Sequence, residues 1–218
     1  MAWRGRSEGL RPYPGFSGGR MDAPLSTFMA MGYDGLGVFL EQGMEDETVG
    51  GFRGDWGFLS NMHPVACVYD DQEFASSEHL YQWLKVPLDT QEGRDWAERI
   101  RTAPHGKVAK SIAADRRCPC KVEKRGQGWE DFRLDCMEKA LRAKFANPEM
   151  RRALMDSGQT TLVEYNRWND TFWGVCGDAG RNLLGGMLMR LRMEFRTEEL
   201  SRSSTAEVRV RESRGPSV

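Results

Sequence analysis

The stretch FASSEHLYQWLK, residues 74–85, predicts a short helix with two chemically different sides. The paired serines before its glutamate are good helix caps, so the helix is expected to begin at Glu78. Residues three, four and seven positions apart lie on one side of a helix. The apolar side carries Leu80, Trp83 and Leu84. The opposite side carries Glu78, Tyr81, Gln82 and Lys85.

The polar side of this helix has two interpretations. Most charged helix faces simply meet water, and the helix dipole favours a glutamate in the first turn, so the segment taken alone favours a solvated surface. Glu78 and Lys85 lie two turns apart, about 10 Å along the axis, with a phenol and an amide between them. That combination also suits the wall of an active site, and both interpretations stay open at this point.

Around this helix the sequence predicts an α+β fold that is mainly helical and has a small β-sheet. A strand is expected at Gly51–Arg53, and residues 64–74 alternate as a hairpin that turns at Asp70 and Asp71. Residues 160–165 are also strand-like. Apolar residues at helical spacing predict further helices at 89–102, 106–114, 129–146, 148–155 and 182–195. Their strongest apolar stripes are Leu134, Met137, Leu141 and Phe145 in one helix, and Leu184, Met187, Leu188, Leu191 and Phe195 in another.

The chain divides into one domain and two terminal segments. Residues 1–48 have no clean hydrophobic period, and the first twenty are rich in glycine, arginine and proline, which is typical of a poorly defined, flexible extension. Residues 49–196 carry the apolar periodicity, and their number suits a single hydrophobic core. Residues 197–218 are polar, so a flexible C-terminal tail is expected.

Composition restricts the class of protein. The 218 residues carry a net charge of −1, so the whole chain gives no sign of nucleic-acid binding. Residues 98–152 are basic, however, and Lys110, Arg116 and Arg117 are candidates to meet a phosphate. No stretch approaches the ~20 apolar residues of a membrane span and no signal peptide is evident, so a cytoplasmic protein with no membrane partner is expected. Five scattered cysteines predict free thiols and no metal site.

Residues 166–186, NRWNDTFWGVCGDAGRNLLGG, combine aromatic, amide and glycine residues before a helix. Aromatic faces stack on bases, and glycines next to a helix N-terminus let backbone amides approach a phosphate. The segment therefore suits a nucleotide-like ligand. Its spacing matches neither a Walker nor a Rossmann motif, and a structural loop whose tryptophans fill the core is the alternative.

A third segment, GDWGFLSNMHP at residues 54–64, places Ser60 and Asn61 in a turn. Both are candidates to contact a ligand. Serine and asparagine in turns more often cap the local backbone, which is the alternative interpretation.

Five segments, in this order, resemble the NADAR superfamily, also called YbiA-like. They are FRGDWGFLSNMHP, FASSEHLYQWLK, HGKVAKSIAADR, WEDFRLDCMEKALRAKF and TTLVEYNRWNDTFWGVCGDAGRNLLGGMLMRLR. The resemblance covers about residues 49–196 and implies a single YbiA-like domain. Three features depart from the family pattern and concern the choice of substrate more than the chemistry. They are Met62-His63 after the turn, Trp83 where a small residue is usual, and CPCKVEKRGQG at residues 118–128.

The resemblance also implies roles for individual residues. Glu78 becomes the general acid/base, and Lys85 either stabilises charge or, as a neutral amine, forms a Schiff base with the sugar. Together with the candidates above, the predicted substrate-binding residues are Ser60, Asn61, Tyr81, Gln82, Trp129, Asn169, Asp170, Phe172, Trp173, Gly174 and Asn182.

The activity that the resemblance implies is hydrolysis of an N-glycosidic bond without a metal or organic cofactor. Two substrate classes are associated with the family: ribosylamino-pyrimidine phosphates of riboflavin synthesis, and ADP-ribose attached to guanine in nucleic acid. The expected partner is therefore a nucleotide-like small molecule or an ADP-ribosylated nucleic acid, with no obligate protein partner. A non-catalytic module that binds ADP-ribose or a nucleotide is the alternative.

Overall fold

The structure is a computed structural model that describes residues 48–120 and 128–213. The predicted N-terminal extension, except its last residue, and most of the 118–128 segment lie outside these residues. The described elements are, in chain order, β1 (Thr48–Gly50), a 3₁₀ helix (Gly54–Leu59), β2 (Cys67–Tyr69), β3 (Gln72–Phe74), α1 (Ser77–Trp83), α2 (Gln91–Arg101), α3 (Gly106–Ala114), α4 (Trp129–Phe145), α5 (Pro148–Asp156), β4 (Thr161–Val163) and α6 (Leu183–Ser213). The mainly helical α+β class is confirmed.

Strands β2 and β3 form the predicted hairpin. Cys67 pairs with Phe74, and both side chains are buried. Val68, the next residue in β2, points the other way and is 61% exposed. Asp70 and Asp71 both adopt positive φ angles, 50° and 56°, as a tight turn matched to the twist of a hairpin requires. Alternation and turn chemistry therefore predicted this element correctly.

A parallel pair of strands joins the two ends of the domain. Val49 in β1 pairs with Leu162 in β4. The predicted strand at Gly51–Arg53 is wrong by three residues, because Gly51 takes a left-handed φ of 74° and ends the strand. The small β component consists of two separate two-stranded sheets among the described residues.

Helix α1 lies at the centre of the packing. All seven of its residues are buried, and it contacts α2, α3, α4 and the hairpin. His79 shows how completely it is enclosed: its Nδ1 accepts a hydrogen bond from Ser76 Oγ at 2.8 Å, while its Nε2 donates to the Ala103 carbonyl at 3.1 Å. A carbonyl can only accept, so the ring proton resides on Nε2. The helix begins one residue earlier than predicted, at Ser77.

The long helices bury the predicted stripes. All four apolar residues of the α4 stripe and all five of the α6 stripe are buried in one hydrophobic core. Helix α5 begins as predicted, with the Asn147 side chain accepting hydrogen bonds from two backbone amides and Pro148 in the first turn. Helical periodicity therefore predicted most of the core.

Helix α6 continues to Ser213, beyond its predicted end at Phe195. The apolar stripe stops at Phe195, but no glycine or proline follows before Gly215, so no residue breaks the helix. Ser201 and Thr205 illustrate its outer part, since each hydroxyl donates to the carbonyl four residues earlier. Residues 197–213, predicted to be part of a flexible tail, are thus helical.

Three further findings concern the cysteines, metal binding and the hydropathy of the helices. All five cysteines are free thiols, and Cys118 Sγ donates to Cys120 Sγ across 3.3 Å. Within residues 48–120 and 128–213, no group of three histidine, cysteine or acidic side chains is arranged to hold a metal ion. None of the helices in these ranges combines the length and the apolar character that a membrane crossing demands.

Candidate active site

Glu78 is a charged residue that is only 5% exposed. Its Oε1 accepts a hydrogen bond from Gln82 Nε2 at 2.6 Å, one turn further along α1. Its backbone amide donates to the Asn61 carbonyl at 2.9 Å, which ties the first turn of α1 to the turn at residues 60–62. Gln82 therefore orients one oxygen of the carboxylate, and the turn at residues 60–62 fixes the backbone that carries it.

The side of α1 that carries Glu78, Tyr81, Gln82 and Lys85, here called the α1 polar face, is turned inward. Each of its four residues is between 4% and 6% exposed. The interpretation as a solvated surface is therefore wrong. Burial of this much polar and ionisable surface costs free energy, so it is found where a fold needs those groups in place.

The N-terminus of α3 closes on Glu78. Gly106, its first residue, approaches so closely that a Cβ atom there would lie 3.2 Å from Glu78 Cβ and 2.8 Å from Met62 Sδ. The positive end of a helix dipole favours a negative charge beside it. The absence of a side chain at Gly106 thus allows a helix terminus to approach the predicted acid/base.

Lys85 is joined to the 166–180 loop by a line of aromatic rings. Its Nζ lies 4.2 Å from the centroid of the Tyr81 ring. Tyr81 meets Trp173 edge-on at 5.7 Å, and Trp173 meets Phe172 edge-on at 4.8 Å. Tyr81, Trp173 and Phe172 are called here the aromatic row. Two of the predicted constellations, the α1 polar face and the aromatic loop, therefore form one continuous wall.

Polar side chains within the loop shape its backbone. Asp170 Oδ1 accepts hydrogen bonds from the amides of Phe172 and Trp173, at 3.2 and 2.9 Å. Asn166 Nδ2 donates to the Asp170 carbonyl at 2.8 Å. Gly174 lets the chain fold back, because a Cβ there would lie 2.1 Å from the Glu164 carbonyl oxygen. In this structure Asp170 and Gly174 present the aromatic row, and no contact with a ligand is required to explain them.

Asn182 is a structural anchor. It is fully buried, with a positive φ of 48°. Its Oδ1 accepts from the Glu164 amide at 2.9 Å, and its Nδ2 donates to the Leu162 carbonyl at 2.8 Å. Both ends of the amide therefore fasten the start of α6 to β4, and the structure gives no support to its predicted contact with substrate.

Ser60 and Asn61 also use their polar atoms within the protein. Ser60 Oγ accepts from the Met62 amide at 3.2 Å, which is the local capping that turns commonly show. Asn61 is 7% exposed, and its Oδ1 accepts from Ser77 Oγ at 3.1 Å. The turn therefore supports the first turn of α1.

Two further predicted residues lie at the edge of this region. Trp129 begins α4, is half-buried and packs at 5.8 Å against Phe132. Asn169 is exposed and has a positive φ of 61°. Its neighbour Trp168 is 55% exposed, so this tryptophan does not fill the core.

Sequence reasoning missed two arginines beside Phe172. Arg133 Cζ lies 3.1 Å from the centroid of the Phe172 ring, and Arg181 Cζ lies 5.0 Å from it. Arg133 follows Trp129 by four positions, so helical spacing alone places both on one side of α4.

The predicted phosphate candidates Lys110, Arg116 and Arg117 are all exposed, and Arg117 pairs with Asp115 at 2.8 Å.

Tyr81 links the two charged ends of the wall. Burial raises the pKa of its phenol above the ordinary value of 10.0, and the charge of Glu78 raises it further, while Arg133 lowers it. The phenol is therefore neutral and protonated at physiological pH.

With this geometry established, comparison with known proteins identifies the family. The NADAR domain profile matches residues 50–196. The chain belongs to the NADAR family. The matched residues run from β1 to the end of the buried part of α6 and include the whole wall described above.

Several known proteins are similar to this chain. The N-glycosidase YbiA of Escherichia coli (strain K12) is 34% identical over 147 residues, which span 66% of this chain and 85% of that protein. A riboflavin biosynthesis protein of Vibrio vulnificus is 30% identical over 141 residues, which span 35% of its length, and the chloroplastic riboflavin biosynthesis protein PYRR of Zea mays is 31% identical over 23% of its length. This chain therefore matches only a part of each of these two larger proteins.

A solved structure has the same fold. The NMR structure of Escherichia coli YbiA superposes with a TM-score of 0.59 at 33% identity, over 71% of this chain and 88% of that chain. The arrangement of the helices around α1 is therefore that of the YbiA fold.

Proposed function

We propose that this NADAR domain is an N-glycosidase that hydrolyses the bond between a ribose and a base, with Glu78 as its acid/base. The observation that carries the proposal is the burial of the Glu78 carboxylate, one oxygen of which accepts from Gln82, on the wall that the aromatic row continues. Membership of a family that includes an N-glycosidase supports the reaction type.

In the proposed reaction, the carboxyl of Glu78 gives its proton to the departing base as the bond from C1′ to nitrogen breaks. A water molecule then forms a bond to C1′ and returns a proton to the carboxylate, so the enzyme ends as it began. Gln82 holds one carboxylate oxygen, which leaves the other to face the substrate. Within the aromatic row, the half-buried rings of Phe172 and Trp173 offer stacking surfaces for the base or the ribose.

Lys85 has two possible roles in this scheme. As an ammonium it stabilises negative charge that develops on the departing base. As an amine it attacks C1′ while the C1′–O4′ bond of the ribose ring breaks, and one amine proton goes to O4′. The base then leaves with the second amine proton, and water hydrolyses the resulting Schiff base to the free sugar and the amine. The Tyr81 ring, 4.2 Å from Nζ, attracts a cation. The charge-stabilising role therefore has the better structural support.

The proposed substrates carry ribose on a nucleobase or a nucleobase precursor. They are a ribosylamino-pyrimidine phosphate, which relatives named for riboflavin biosynthesis suggest, or ADP-ribose attached to guanine in a nucleic acid. Both place an anomeric carbon between a planar group and a phosphate. An aromatic wall with a carboxylate suits that common part of the two molecules.

The test is an assay of the purified chain on both substrates, with Glu78→Gln as the variant. The variant should lose at least about 100-fold in turnover while its thermal unfolding stays close to that of the wild type, because it keeps the size and a hydrogen bond to Gln82 but cannot transfer a proton. Glu92→Gln is the matched control, since Glu92 also lies in a first helical turn but is exposed. Borohydride added during turnover would trap a Schiff base on Lys85, and we expect no trapped adduct.

Full activity of the Glu78→Gln variant would refute the assignment. Binding of ADP-ribose without release of a base by the wild type would instead make the domain a binding module.

A further inference from the structure

Two guanidinium groups converge on the Phe172 ring from distant parts of the chain. Arg133 comes from the second turn of α4, and Arg181 lies just before α6. Their Cζ atoms are 3.1 and 5.0 Å from the ring centroid. Like charges repel, and each lowers the other's tendency to stay charged unless an anion offsets them. The two guanidinium groups are therefore more stable when an anion lies beside them.

The two cations are compensated unequally by the protein. Arg181 forms an ion pair with Glu130, and both side chains are substantially exposed. Arg133 Nε is buried and has no hydrogen-bond partner among the described residues. Burial lowers the pKa of Arg133 and the charge of Arg181 lowers it further, while Tyr81, Glu130 and Asp170 oppose these effects. A buried guanidinium N–H without an acceptor costs free energy, so an oxygen acceptor of a ligand that bonds to Arg133 Nε would remove this cost.

The arginine pair lies at the end of the same wall that carries the predicted acid/base. Phe172 contacts Trp173, which contacts Tyr81, whose ring lies under Lys85 Nζ. A ligand lying along the aromatic row would thus have Glu78 and Lys85 at one end and the two guanidinium groups at the other. A nucleotide-like substrate has the same polarity, with its glycosidic bond and its phosphate on opposite sides of the ribose.

We propose that Arg133, with Arg181 beside it, forms the phosphate-binding end of the substrate site. Guanidinium groups bind phosphate oxygens with paired, charge-assisted hydrogen bonds. The contact of Arg133 with the Phe172 ring restricts the position of its guanidinium group. The inference rests on the proposed function for the identity of the whole substrate, but phosphate binding by Arg133 can be measured without catalysis. It also replaces Lys110, Arg116 and Arg117 as the groups that meet the phosphate.

The experiment is calorimetric titration of the full chain with ribose 5-phosphate and with ribose. The wild type should bind ribose 5-phosphate at least 10-fold more tightly than ribose. Arg133→Met keeps an apolar contact with Phe172 but removes the charge, and it should weaken binding of ribose 5-phosphate by about 10–100-fold while leaving binding of ribose unchanged. Arg152→Met is the matched control, because the Arg152 side chain is 82% exposed and its ion pair with Asp156 is long, at 3.8 Å. This variant should bind ribose 5-phosphate like the wild type.

Equal binding of ribose 5-phosphate by the wild type and by Arg133→Met would overturn the proposal, as would a wild type that does not distinguish the two sugars. Arg181→Met is the second variant if Arg133→Met unfolds, and it must also lose affinity for the phosphate. The outcome is separate from the proposed hydrolysis. If the chain turns over substrate but its phosphate binding does not depend on Arg133, only the proposed phosphate site is contradicted. If phosphate binding depends on Arg133 but no turnover occurs, only the proposed hydrolase activity is contradicted.

Discussion

Lys144 is a lysine with no exposed surface. Its Nζ donates to the Ser60 carbonyl at 2.7 Å, so it ties the last turn of α4 to the turn that supports Glu78. Burial lowers the pKa of its amine from 10.5 to about 7, and the nearby Cys67 thiol opposes this shift. The protein therefore keeps an amine in its interior where a hydrophobic residue of similar length would avoid the cost of desolvation.

Lys144→Met should change how stability depends on pH. Between about pH 7 and pH 10 the unfolded wild type binds a proton that the native amine does not, so the free energy of unfolding rises by up to about 1.4 kcal/mol per pH unit and levels off below pH 7. The methionine variant lacks this rise. Urea unfolding at a series of pH values measures it, with Lys107→Met as control because Lys107 is exposed on α3.

Parallel stability curves for the wild type and Lys144→Met would show that Lys144 stays charged in the native state. The variant also loses the hydrogen bond to Ser60. A fall in activity at a pH where its stability equals that of the wild type would identify Lys144 as a positioning residue for the turn beneath Glu78.

The junction of β4 and α6 depends on a glycine at a close approach. A Cβ at Gly185 would lie 2.0 Å from the Leu162 carbonyl oxygen and within 2.7 Å of the Asn182 amide. Backbone atoms cannot move aside as a flexible side chain can. The contact therefore fixes how deeply the first turn of α6 sits against the strand.

Gly185→Ala should lower the free energy of unfolding by roughly 3 kcal/mol, because the added methyl group must push α6 away from β4 and strain the hydrogen bonds of Asn182. Thermal or urea unfolding measures the loss. Gly57→Ala is the control, since a Cβ there meets nothing within 4 Å and its effect should be small. A variant at position 185 that is as stable as the wild type would contradict the close approach.

Elements with a strong local pattern could be predicted from the sequence, and contacts between elements could not. The helix at Gly106–Ala114 and the Asp70-Asp71 hairpin follow from apolar spacing and turn chemistry, and the structure has them where they were expected. The local sequence of the α1 polar face is typical of a solvated surface. Only tertiary packing shows that α3 contacts it at Glu78 and that the 166–180 loop contacts it at Tyr81. Gly185 and the position of Arg133 on Phe172 likewise depend on neighbours distant in sequence.

The candidate site shows the same division. Glu78, Tyr81, Gln82 and Lys85 share one face as their spacing predicts, and the aromatic loop does meet them. Asn182 was predicted to contact substrate, but its side chain forms hydrogen bonds with the backbone. A polar residue next to a glycine-rich loop can do either, and the sequence does not distinguish the two. The two hydrogen bonds of Asn182 to the β4 region could not be anticipated from composition or spacing.

The outer part of α6 lies beyond the hydrophobic core. Phe195 is the last core residue of the helix, and the Arg196 guanidinium still donates to the Met155 carbonyl at 2.6 Å. Further out, the ion pair between Arg151 and Glu198 links this segment to α5, and both partners are partly exposed. An exposed pair of this kind contributes up to about 1 kcal/mol. Among the described side chains, the stability of the domain is therefore concentrated before residue 197.

Removal of residues 197–218 should leave the domain folded and active. We expect the free energy of unfolding to fall by no more than about 1 kcal/mol, a shift of roughly 2–4 °C in Tm, because no core side chain is lost and Arg196 is retained. A chain ending after Arg190 is the contrasting variant, since it also loses Leu191 and Phe195 from the core and should unfold. Melting curves and the glycosidase assay on both truncated chains make the comparison. If the chain without residues 197–218 is as stable as the wild type but inactive, the outer turns of α6 contribute to the active site. Damage to the core would have lowered the stability as well.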